Sequence, residues 1–310
     1  MAEPTLHPDC ERAAQVLRAA GCQPAEPLKC SLQEARDQQD RHFAFLNADL
    51  PAVHAAHDIQ ARGPAGPLRL RVVHPHPPGR TPRGAPVVLF VRGAGWWAGG
   101  LHSHERTARL LATRTGAACV VLDYHRAPEH RFPTQLEELL AAIRWVRQEG
   151  PAHGLDGSRL VLWGESAGAT TSLLAAQRMG DTRIEPVQAL VLFYGNFLGP
   201  GPTTRAQSRW VWEQLLGDQA ASPPASAIPV RQTMLGLPPV WLGCGEVDPL
   251  LEDTLAVRRQ LVREGVPHQL HTWPGLPHGF MTLNLLLPAA QEAVDLAWAG
   301  VAPWLQAAAR

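Results

Sequence analysis

The chain has 310 residues, 45% hydrophobic and 18% charged, with 28 Lys+Arg against 28 Asp+Glu. That length can bury the core of a large α/β domain, and zero net charge without a basic stripe argues against a nucleic-acid partner. Five cysteines without CxxC spacing read as reduced thiols rather than a disulfide frame, and no run of about 18 apolar residues offers a membrane span.

Met1 to Cys10 shows no basic stretch leading into an apolar one, so no secretory signal is expected and a cytoplasmic location is. Ala13, Val16, Leu17 and Ala20 recur at helical spacing up to Gly21, and Ser31 to Leu46 forms a second helical run. Having no strand pattern, residues 1–52 are expected to form a helical cap segment on a main α/β domain of residues 53–310.

From Val53 to His74 the pattern changes to an antiparallel pair: a weakly alternating stretch His54–Ala61, a turn Arg62–Pro67 and a cleanly alternating stretch Leu68–Val73. The Pro/Gly/Arg stretch 75–86 reads as a surface loop. Continuous apolar runs follow at Pro86–Val91, Ala118–Leu122 and Leu160–Trp163, as expected of strands covered on both faces. Helices are expected over 103–115 and 133–148, then strands 187–193, 238–243 and 268–273 with helices 251–264 and 284–305. Such alternation predicts a mostly parallel, eight-stranded sheet with helices on both faces. Between Tyr194 and Leu237 it breaks down into Pro/Gly-rich turns and one helix, 206–216, carrying Trp210 and Trp212. A connection that long is usually functional, and residues 195–237 are expected to form a cap insertion over the sheet's C-terminal edge.

The strand Leu160–Trp163 runs into Gly164-Glu165-Ser166-Ala167-Gly168 and then an Ala/Leu-rich helix, the pattern of a nucleophile elbow. The two glycines allow close backbone approach and strained dihedrals, and Ser166 is presented at a helix start that favours developing negative charge. A serine needs a base and an orienting carboxylate, in the order Ser, acid, His for this architecture. His268 and His271 fall inside a strand pattern, whereas His278 lies in the Gly/Pro loop Pro274–Phe280 and is free to approach Ser166. Among Glu246, Asp248 and Asp253, Asp248 sits in the loop after a strand, where a carboxylate can face an imidazole; an Asp there can equally cap the next helix. Asp253 is expected inside that helix.

Taken together, Gly164–Gly168, the stretch Leu122–Pro133, Gly245–Leu250 and His278-Gly279-Phe280 resemble the motifs of the hormone-sensitive-lipase-like branch of the α/β-hydrolases, over roughly residues 86–305. The resemblance implies an α/β-hydrolase fold with an α-helical cap. It implies a carboxylesterase for short to medium acyl esters, without metal or organic cofactor. Ser166 would be nucleophile, His278 general base and acid, and Asp248 the residue fixing the imidazole tautomer. By position, Ala94, Gly95 and Ala167 take the place of the oxyanion-hole amides, although the family's His-Gly-Gly-Gly reads Arg92-Gly93-Ala94-Gly95 here. Ala94 is expected at negative φ with its amide towards the site. Arg92 would act as a loop brace or as a contact for an acid-bearing substrate. His125 replaces a family arginine in a stretch expected to be structural. Trp96, Trp97, Phe197 and Phe280 are the apolar candidates for the substrate wall. The expected partner is a small-molecule ester, with a homodimer left open. Two other readings share these motifs: an amidase or deacetylase on the same frame, and a non-catalytic small-molecule receptor, which would be expected to lack a triad member.

Overall fold

The computed structural model describes residues 5–77, 83–201 and 204–307. Eight strands form one sheet: β1 Ala55–Gly63, β2 Gly66–His74, β3 Ala85–Val91, β4 Ala118–Asp123, β5 Leu155–Glu165, β6 Ala189–Phe193, β7 Val240–Gly245 and β8 His268–Trp273. Their order is β1-β2-β4-β3-β5-β6-β7-β8. β1 and β2 pair antiparallel, β2 pairs antiparallel with β4, and every other pairing is parallel. The sheet is therefore mostly parallel, as the alternating pattern predicts. Of the loop expected over 75–86, residues 78–82 lie outside the described set, and Ala85 and Pro86 already belong to β3.

The helices are α1 Pro8–Ala19, α2 Leu32–Leu46, α3 Glu105–Thr115, α4 Thr134–Gln148, α5 Ala167–Met179, α6 Ala206–Leu216, α7 Leu251–Arg263 and α8 Pro288–Ala307. Continuous apolar strands make sense because both sheet faces are covered. Val87, Leu89 and Val91 of β3 join one core with α4 and α5 residues such as Leu139 and Leu173. Val88 and Phe90, the alternate residues, join a second core with Leu111 of α3 and Ala293 and Val294 of α8. α8 begins later than expected, at Pro288, because a 3₁₀ turn over Phe280–Leu283 comes first; proline is well suited to a first helical position. No helix among the described residues is long and apolar enough to cross a membrane.

The N-terminal helices are tied to the sheet by specific contacts. Cys10 and Ala13 of α1 join the second core. A capping box between Ser31 and Glu34 starts α2. Further along that helix, the buried Arg36 donates to the carbonyls of Trp97 and Ala127, each at 2.9 Å, and forks onto Glu129 at 2.6 and 2.7 Å. This pair holds the Glu129 carboxyl down at about 2. α6 is fixed by two tryptophan pairs, Trp212 on Trp96 at 5.1 Å and Trp210 edge-on to Trp97 at 5.3 Å. Asp253, in the first turn of α7, does more than serve its own helix. Its Oδ1 accepts the N–H groups of Phe197 and Leu198, both at 2.8 Å, and so pins the start of the long connection.

Replacing Arg36 by Ala strands two buried carbonyls, each without its donor. The expected loss is roughly 1–3 kcal/mol, read as a shift in the urea midpoint at constant slope. Glu129→Ala, which removes a half-exposed carboxylate, is expected to cost less.

Candidate active site

Ser166 stands at the junction of β5 and α5 with φ 50° and ψ −120°. The strain of the elbow therefore rests on the serine itself. The glycines serve proximity instead: a Cβ at Gly168 would lie 1.9 Å from the Val91 carbonyl oxygen, and one at Gly164 would lie 2.6 Å from Ala169 Cα. The Ser166 N–H donates to the Phe193 carbonyl at 2.9 Å, locking the turn to the end of β6.

Around Ser166 the C-terminal ends of neighbouring strands deliver the other groups, the usual place for a site in a parallel sheet. Ser166 Oγ is 2.9 Å from His278 Nε2. His278 Nδ1 is 2.9 and 3.1 Å from the two Asp248 oxygens. Asp248 also accepts the Leu250 N–H at 2.7 Å, so it caps a local turn and faces the imidazole at once. Burial pulls the His278 imidazole down, but the Asp248 carboxylate, by charge and by hydrogen bond, more than reverses this, leaving it above its ordinary 6.5. His268 and His271 lie in β8, as expected.

The loop after β3 departs from expectation. Ala94, Gly95 and Trp96 all take positive φ, at 68°, 58° and 62°. The negative φ expected at Ala94 is thus corrected. A left-handed alanine costs about 1–2 kcal/mol, and surrounding contacts hold it there. Arg92 is fully buried and donates to the Ala98 carbonyl at 2.6 Å and the Tyr124 carbonyl at 3.2 Å. Asp123 Oδ1 lies 3.5 Å from the guanidinium, which sits 3.9 Å from the centre of the Tyr124 ring. The Tyr124 hydroxyl in turn donates to the Gly93 carbonyl at 2.8 Å. Arg92 braces the loop and does not line the cavity, so nothing here aims it at a substrate acid group. The amides of Ala94, Gly95 and Ala167 have no hydrogen-bond acceptor among the described residues. His125 hydrogen-bonds the buried Glu138 through both its backbone and its ring, the structural role expected of that stretch.

A cavity of about 660 Å³ opens onto Ser166, His278 and Gly93–Gly95. Leu17 of α1, Phe43 of α2 and Val211 of α6 line it, as does Trp97. Of the four apolar wall candidates only Trp97 is placed there. Trp96 is turned inward and donates to Thr171 Oγ1 at 2.9 Å. Phe197 and Phe280 are fully buried in the two cores, Phe280 packing on Trp273 and Tyr194. Large aromatic residues beside a site are drawn into the core by the same burial that makes them attractive as wall candidates.

Among the lining residues that escape the sequence reading are Glu165, Tyr194 and His104. Glu165 adjoins the serine and was visible only as the variable letter of the elbow. Tyr194 marks the start of the long connection, and His104 carries no motif. Among the described residues no group of three or more His, Cys, Asp or Glu side chains could hold a metal ion.

The comparisons with known proteins agree with this fold. A family model described as alpha/beta hydrolase fold matches residues 88–282. The chain belongs to this family, in its hormone-sensitive-lipase-like branch. The α/β-hydrolase chain is 33% identical to Esterase LipI of Mycobacterium tuberculosis over 255 residues, covering 77% of this chain and 78% of the relative. It is 32% identical to Carboxylesterase NlhH of the same species over 224 residues, covering 67% and 70%. Among solved structures it is similar to an esterase of Pyrobaculum calidifontis, with TM-score 0.84, 27% identity and 96% and 98% of the two chains covered. It is also similar to the Ser161Ala mutant of LAE6, an alpha/beta hydrolase enzyme from the metagenome of Lake Arreo, with TM-score 0.85, 25% identity and 95% and 96% coverage.

The loop geometry separates two substitutions that look alike. Ala94→Gly relieves a left-handed alanine but adds unfolded-state freedom, so stability should change by no more than about 1 kcal/mol. Gly95→Ala puts a methyl 2.8 Å from the Trp97 ring. Its thermal midpoint should fall clearly below that of Ala94→Gly, in parallel scanning calorimetry.

Proposed function

We propose that this α/β-hydrolase cleaves carboxylic esters of short to medium acyl chain through a Ser166–His278–Asp248 triad and an acyl-enzyme. The observation that carries the reading is the unbroken chain of contacts from Ser166 Oγ through the imidazole to Asp248, opening into a cavity of about 660 Å³. The names of the two mycobacterial relatives, an esterase and a carboxylesterase, support an ester over an amide.

In this mechanism His278 Nε2 takes the Ser166 proton as Oγ attacks the ester carbonyl. Asp248 holds the Nδ1–H tautomer and stabilises the imidazolium. The carbonyl oxygen becomes an oxyanion received by the amides of Ala94, Gly95 and Ala167, where each donor is worth about 2.7–4 kcal/mol in related sites. The imidazolium then protonates the leaving alcohol. Water enters, His278 takes its proton, and the acyl-enzyme is cleaved. A main-chain N–H donates whatever its side chain, and those of Ala94 and Gly95 have no acceptor among the described residues. The positive φ at Ala94 is therefore compatible with donation. Helices α1 and α2, with the 195–237 connection, act as the cap: they supply apolar lining and shield the acyl group from water.

Ser166→Ala is expected to abolish turnover of a short-chain p-nitrophenyl ester and to leave the unfolding midpoint near that of the parent. An organophosphonate should add one label per chain, on the Ser166 peptide. Turnover within tenfold of the parent, or a label elsewhere, sinks the assignment. A series of acyl lengths and matched amides, run on the parent, tests the substrate class; faster amides would overturn the ester reading.

The acid limb of kcat/KM should have its midpoint above about 6.5, the ordinary imidazole value, because the imidazole is raised and its cation cannot accept the serine proton. Asp248→Asn removes the main raising influence. The limb should then move to lower pH, on an activity reduced by about 10³-fold or more. A pH profile of both variants checks the sign.

A further inference from the structure

Glu165 is the last residue of β5, directly before the nucleophile. The carboxyl is buried, 2% exposed, and among the described residues has no lysine or arginine within ion-pair distance. Its Oε2 accepts the Tyr194 hydroxyl at 2.9 Å. Its Oε1 lies 3.3 Å from Nε2 of His104, whose side chain is equally buried at the N-cap of α3.

The protons of this cluster can be counted. Ser103 has one hydroxyl proton, and it goes to the Gly100 carbonyl at 2.8 Å. Ser103 Oγ lies 2.8 Å from His104 Nδ1; with the hydroxyl proton on the carbonyl, the ring nitrogen is the donor there. His104 Nε2 is then left without a proton, and both it and Glu165 Oε1, 3.3 Å apart, are buried without a hydrogen-bond partner among the described residues. Two lone pairs at that distance repel inside a protein; a proton on Oε1 turns the contact into a hydrogen bond.

We propose that Glu165 is held as a neutral carboxylic acid, donating to His104 and accepting from Tyr194, and that this acid is the positioning residue that keeps the elbow, the oxyanion loop and the loop of the base in one register. The three reach it by separate routes. The elbow does so through the chain itself. The oxyanion loop rests on it at Gly93, where a Cβ would meet Ser166 Cβ at 3.3 Å and Glu165 Cγ at 3.6 Å. The loop of the base is held by Tyr194, whose hydroxyl accepts the Met281 N–H at 3.3 Å and whose ring meets His278 edge-on at 4.9 Å. The role in turnover rests on the triad reading; the proton on Glu165 does not.

The titratable groups facing this acid support it. Burial pushes the Glu165 carboxyl up to about 7, against the hydrogen bond from Tyr194 and the charge of His278, which lower it. Burial, with the charges of Arg92 and His42, holds His104 down at about 3, so it stays a neutral acceptor. Burial and the neighbouring Glu165 keep Tyr194 protonated far above its ordinary range. On the far side of His278, Asp248 and Asp253 raise the imidazole and do not touch Glu165. The sign follows. A carboxyl raised in the folded state contributes stability below its unfolded value and loses it as pH climbs through the neutral range.

The test compares the full-length parent with Glu165→Gln and Glu165→Leu. A glutamine can donate to His104 and accept from Tyr194 without titrating. It should keep kcat within about threefold of the parent near neutral pH, and should remove the fall in thermal midpoint and kcat that the parent shows towards about pH 9. Glu165→Leu should lose kcat by about 10- to 100-fold with little change in KM. Infrared difference spectra of the parent between about pH 5 and pH 9 should show a buried carboxylic-acid band that vanishes in Glu165→Gln, since few other carboxyls titrate there. A parent spectrum without a band assignable to Glu165, or a Gln variant as damaged as the Leu variant, overturns the proposal. If Ser166→Ala retains turnover, the triad reading fails alone, and the infrared band still decides the state of Glu165.

Discussion

The site depends on one close approach, that of the first turn of α5 to the end of β3. Gly168 passes so near the Val91 carbonyl oxygen that a methyl group would sit 1.9 Å from it. Because no side chain intervenes, the serine and the oxyanion loop that follows β3 come to lie side by side. The helix start, the loop amides and the imidazole can then converge on one point. The pair of cores on the two sheet faces makes this approach rigid, since close-packed interiors resist small displacements.

The second layer of the site is built from buried polar bonds. Arg92 holds the oxyanion loop from beneath through Ala98 and Tyr124, and Arg36 holds it from α2 through Trp97. Asp253 fixes the start of the long connection. None of these side chains has a partner close in sequence, with the exception of Arg92 to Ala98. They convert an irregular, partly left-handed loop into a determined one. That is how three consecutive residues of positive φ can persist where only one of them is glycine.

Strand alternation, the elbow and the loop histidine were legible from residue pattern alone. Each depends on neighbours in sequence: apolar runs of strand length, glycines flanking a serine, a histidine among turn residues. What was hidden depends on contacts across the chain. Ala94 lies in a loop that Arg92 ties to Ala98 and Tyr124 and that is closed by the Ala98 N–H on the Ala94 carbonyl, contacts that local propensity does not contain. Phe197 and Phe280 were expected at the substrate, but their size drew them into the cores. Glu165 gives no sign of burial in its letter; only the placement of His104 and Tyr194 beside it reveals a carboxyl without a cation. Asp248 faces the imidazole and accepts the Leu250 N–H within its own turn, while α7 starts at Leu251 with no side-chain cap, so the helix-cap alternative is not the one the structure takes.

The exchange of a family histidine for Arg92 has a consequence for how the protein meets acid. An imidazole at the base of the oxyanion loop would gain charge within the mildly acidic range, while a guanidinium keeps the same charge throughout. With its cation beside Asp123 and two of its donors on the carbonyls of Ala98 and Tyr124, Arg92 gives the loop a brace that does not change charge as the base titrates. The support that Arg92 gives the oxyanion site thus stays constant while the base titrates, and among the groups beneath the loop the pH dependence is left to Glu165.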